Sequence, residues 1–103
     1  MATPLTARGY TAIRHLMNTT DLGSLPTVRA AVDEDRRTID LEHLEGWPYS
    51  SGEQVMVDAL RAFATSHGGP SLSDLTRLDT QCQAAVLSAV RLWLGLDLDP
   101  FGE

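Results

Sequence analysis

The stretch that most limits how this chain can fold is Ser50 to Ser66, SSGEQVMVDALRAFATS. Val55, Met56, Ala59, Leu60, Ala62 and Phe63 recur at helical spacing and make a broad apolar face. Ser50 or Ser51 can cap the first amides, and Ser50 as N-cap puts Glu53 at the third helical position, where its carboxylate can bond back to the cap in a capping box. Gly68-Gly69-Pro70 ends the segment, because glycine accepts a left-handed C-cap and proline cannot continue a helix. This predicts a long central helix that is scaffold and carries no reactive centre.

The rest of the chain is placed relative to that helix. Thr3 and Pro4 read as the cap and first position of an N-terminal helix running to residue 18, with Tyr10, Ile13, Leu16 and Met17 inward. Residues 19 to 23 read as an exit loop. Residues 27 to 44 admit two readings. Alternation of Val28, Ala30 and Val32, then of Ile39 and Leu41, predicts a β-hairpin with strands 27–32 and 38–44. The rival reading starts a short helix after Ser24, with Pro26 in its first turn and Val28, Ala31 and Val32 on one face. The hairpin is preferred because TIDLEHL alternates cleanly and opens on β-branched residues.

Downstream, Ser71 and Asp74 repeat the capping signature in a short helical connector, with Leu72, Leu75 and Leu78 directed at the core. Asp79 or Thr80 caps a last helix ending near Leu94, with Gly95 as its C-cap. Its inward stripe is Cys82, Ala85, Val86, Ala89, Val90 and Trp93, and the two alanines predict close approach to the central helix. Leu87 and Leu94 lie at the border of that stripe, where they can reach a second partner. The expected fold is therefore α+β: N-terminal helix, β-hairpin, long central helix, short helical connector and C-terminal helix. The alternative is an all-α four-helix bundle using residues 25–36. Residues 1–95 are expected to form one domain, and 96–103, LDLDPFGE, a short acidic tail.

Composition narrows function mainly by exclusion. The 103 residues are 43% apolar, enough for one core. A net charge of -6 disfavours a general polyanion binder, so no nucleic-acid partner is expected. All the cations are arginine, and nothing physical in the sequence explains the missing lysine. No apolar run approaches the ~20 residues that cross a bilayer, so no membrane partner is expected. No basic segment precedes a hydrophobic run at the N-terminus. With one cysteine, this predicts a cytoplasmic protein.

Candidate chemistry thins out on inspection. Asp33 and Asp35 suggest a calcium loop, but the EF-hand pattern then meets Arg37, Thr38 and Leu44 where it needs an oxygen ligand, glycine and glutamate. A solvated hairpin tip explains them better. His15, His43 and His67 show no zinc spacing. Cys82 as a nucleophile needs a neighbouring base and a lowered pKa, whereas its place on an apolar stripe predicts inert burial. SSGE lacks the flanking glycines of a nucleophile elbow. A DNA-associated regulator would need Arg61, Arg77 and Arg91 on one face. A small hydrolase or transferase would need Cys82 or His43 beside another polar side chain in a concave pocket. No catalytic, cofactor or metal residues are assigned, and no cofactor is expected. The favoured reading is a non-catalytic interaction or regulatory module that binds a protein partner or self-associates as a homodimer. Trp47, Tyr49, Trp93, Leu96 and Phe101 are the candidate interface, since rigid aromatic rings bury much area at low entropic cost.

Overall fold

A computed structural model describes residues 2–95. In chain order, β1 (Ala2–Pro4) leads into α1 (Ala7–Thr19), and a 3₁₀ turn (Asp21–Ser24) into α2 (Pro26–Ala31). A hairpin of β2 (Val32–Asp33) and β3 (Thr38–Asp40) follows, then a second 3₁₀ turn (Glu42–Leu44). The long helix α3 (Ser51–Thr65), the short α4 (Leu72–Leu75) and α5 (Thr80–Trp93) complete the described part. The fold is α+β: among the described residues there are five helices with a small three-stranded antiparallel sheet of order β1-β3-β2.

The N-terminal residues take a different form from the one expected. Residues 2–4 are a strand on β3, with Thr3 opposite Ile39, and α1 starts later, with Thr6 accepting from the Gly9 amide at 3.0 Å. Pro4 fits an edge strand, where its missing amide costs no ladder bond, as well as it fits a helix start. The extended segment instead pairs with β3 beside the fully buried Ile39.

Residues 24 to 44 contain pieces of both readings. A helix occupies Pro26–Ala31, so the predicted strand 27–32 is corrected: strand begins only at Val32. The burial pattern shows why. Thr27, Val28 and Ala31 point inward and Ala30 outward, which is helical spacing. Pro26 at the first helical position presets the backbone. The Thr27 hydroxyl, buried by that spacing, donates to the His43 carbonyl at 3.0 Å. The hairpin then forms with Val32 opposite Ile39 and Asp33 opposite Thr38. Its second strand stops at Asp40, and a 3₁₀ turn brings Leu44 into the core.

The hairpin tip is held against α1. Arg14 Nη1 meets Glu34 Oε1 at 2.8 Å and donates to Tyr10 Oη at 3.1 Å, while the Arg37 guanidinium lies 5.0 Å from the Tyr10 ring centroid. Arg37 takes a positive φ of 53° to turn the chain there.

Helix α3 has the predicted start. The Ser50 amide donates to Glu53 Oε1 at 2.8 Å and the Glu53 amide to Ser50 Oγ at 3.2 Å. Val55, Met56, Val57, Ala59, Leu60 and Phe63 are buried. The left-handed cap falls on Ser66 (φ 63°), not on the expected glycine, and its amide reaches the Ala62 carbonyl at 2.8 Å. Gly68 and Gly69 continue the turn with positive φ.

The last helix makes a different alliance from the one predicted. Asp79 caps α5, accepting from the Cys82 amide at 2.8 Å, but α5 packs chiefly on α1 and only lightly on α3. The α1–α5 pair runs antiparallel and is tied at both ends. Arg8 Nη1 donates to the Leu94 carbonyl at 3.4 Å, and Gln81 Nε2 to the Thr19 carbonyl at 3.2 Å. Ala85 and Ala89 are buried. Close approach to α3 is made by α1 instead: a Cβ on Gly9 would stand 2.8 Å from the Phe63 carbonyl oxygen. Of the connector leucines, Leu78 is buried and Leu75 partly so, but Leu72 is 84% exposed.

Candidate functional site

The aromatic residues singled out from sequence fall in separate places. Trp47 follows Gly46, whose φ of 80° turns the chain outward after the second 3₁₀ turn. Its ring is 43% exposed and lines an open cleft of about 400 Å³ with Pro26, Thr27, Ala30, His43 and Glu45. Tyr49 turns inward. Its hydroxyl donates to the Leu44 carbonyl at 2.8 Å, and its ring packs against the core just before the α3 cap. Trp93 is also partly buried, its ring centroid 6.4 Å from that of Phe63. Leu96 and Phe101, and the tail they belong to, lie outside the described residues.

Trp47 stands just before the start of α3, and Trp93 packs on Phe63 near its end. At 1.5 Å of rise per residue these positions are about 20 Å apart along the helix. The two tryptophans therefore belong to different surfaces. Among the described aromatic residues only Trp47 is exposed.

A second cleft, about 510 Å³, opens where the starts of α3 and α5 meet the first 3₁₀ turn. Leu22, Leu25 and Met56 give it an apolar side, and Asp21, Glu53 and Asp79, with Arg77 among them, a charged and mainly acidic one. Helix starts attract anions through their free amides. Here Glu53 and Asp79 already answer those amides, as the cap bonds show.

Cys82 lines the same cleft. Its thiol is pushed above the ordinary range, first by burial and then by the carboxylates of Asp79 and Asp21. Asp79 is shifted the other way, held low mainly by the Cys82 amide. A thiol that keeps its proton beside a carboxylate that sheds it makes a poor nucleophile–base pair. No histidine lines this cleft.

His43 borders the Trp47 cleft, and His67 lines a further one beside Asp58 and Arg61. Among the described residues, no three His, Cys, Asp or Glu side chains come close enough to hold a metal ion. Ser50 and Glu53 are occupied by the capping box. Arg61 lies 3.5 Å from Glu45, and Arg77 3.9 Å from Asp74. They line different clefts.

Two exposed apolar positions extend the picture. Leu87 and Leu94, 62% and 49% exposed, lie seven residues apart on one side of α5, away from the Ala85–Ala89 contact with the core. The amphipathic pattern marked both as border residues. Pro26, Thr27 and Ala30 come beside Trp47 only through the helical form of α2, which the sequence offers as the rival to a strand. Among the described residues, no helix is long and apolar enough to cross a membrane. Neither a family model, nor a curated protein, nor a solved structure matches this chain.

Proposed function

We propose that the protein is a non-catalytic interaction module that meets a protein partner, or a second copy of itself, at Trp47. The observation that supports this reading is the exposed Trp47 ring beside the apolar edge of α2, while Tyr49 and Trp93 are drawn toward the core. Tryptophan left half in water at the rim of an apolar cleft is the residue type that most often anchors a protein contact. The mismatched Cys82–Asp79 pair favours a binding role over a reactive one. A cytoplasmic setting is part of the same proposal, in keeping with a lone, partly buried cysteine.

The test compares wild type with Trp47→Ala. Affinity capture from the native host should retain a partner on wild type and lose it on the variant. The variant should stay folded with a loss of about 1–2 kcal/mol, because the ring is already 43% exposed and buries only part of its surface. Sedimentation velocity across micromolar concentrations separates the two occupants. Association with rising concentration in wild type, lost in Trp47→Ala, identifies a second copy. Equal partner retention by both proteins would remove Trp47 from the contact.

A further inference from the structure

We draw no further inference here: the strongest candidate, the cleft where the starts of α3 and α5 bring Asp21, Glu53 and Asp79 around the Cys82 thiol, is an acidic cluster with a lone cysteine, two of its carboxylates already serve as helix caps, and nothing in the structure shows what would occupy it.

Discussion

Helices α3 and α4 begin in the same way and end very differently. Each opens on a serine whose hydroxyl accepts from the amide three residues on, and each has an acid at that position bonding back to the serine amide. Yet α3 continues for 15 residues and buries six of them, while α4 stops after 4 and buries none. A capping box satisfies amides that any helix start leaves open, so it marks where a helix can begin. Continuation depends on what the following side chains can cover. After Glu53 come Val55, Met56, Val57, Ala59 and Leu60, all inward. After Asp74 comes Leu75, then Thr76 and Arg77, both exposed.

That contrast can be broken most directly at Leu60, which is fully buried. Leu60→Ala should cost about 2–5 kcal/mol in chemical denaturation, from lost transfer energy and the cavity left behind. A cost near that of a surface change would mean that α3 is not the core element its burial implies.

The caps give the next largest effect. Ser50→Ala should cost about 1 kcal/mol. Ser71→Ala should cost clearly less, because the four-residue helix it starts holds no buried side chain. Equal losses would show that α4 supports the fold through something other than burial, and would undo the comparison.

Asp79 sharpens it from the side of α5, whose cap is a charged aspartate without a capping box. Its folded-state pKa lies below that of the unfolded chain, chiefly through the Cys82 amide. The stability it adds is therefore present above the unfolded value and is lost as pH falls through the folded one. Wild type should thus keep its advantage over Asp79→Asn at neutral pH and lose it only as pH falls below the ordinary aspartate value of about 3.9 and on through the lower folded one. A gap that stays constant in denaturation curves over that range would assign the cap to geometry rather than charge.

The smallest effect is expected at Leu72, the exposed first residue of α4. Leu72→Gln should leave stability within about 0.5 kcal/mol. A larger loss by thermal melting would show that this leucine is covered in solution.

How much of this was legible depended on how local the cause was. The starts of α3, α4 and α5 were readable to within one residue, since each cap lies within three positions of the amide it serves, while the choice of Ser50 over Ser51 and of Asp79 over Thr80 needed the structure. The Thr6 cap was as local, but Thr3-Pro4 offered an equally good local signal. Only the strand partner Ile39, far along the chain, decided between them. The same happened at Val28 to Val32, where five residues satisfy either a strand or a helical turn. The candidate contact surface was half readable: Trp47 was marked from its chemistry, whereas its neighbours on α2 depended on resolving that ambiguity.

The amino-acid sequence alone thus determined the helix starts and the inward stripe of α3, because hydrogen bonds and side-chain periodicity act within one turn of chain, and it favoured the α+β class over an all-α bundle. Tertiary structure decided that α5 lies along α1, that residues 2–4 become an edge strand, that Ser66 takes the left-handed cap and that Trp93 is partly buried while Trp47 is exposed. Those outcomes rest on which surfaces meet across the fold. Several pairings of similar apolar stripes satisfy the same local pattern, and only close packing selects among them.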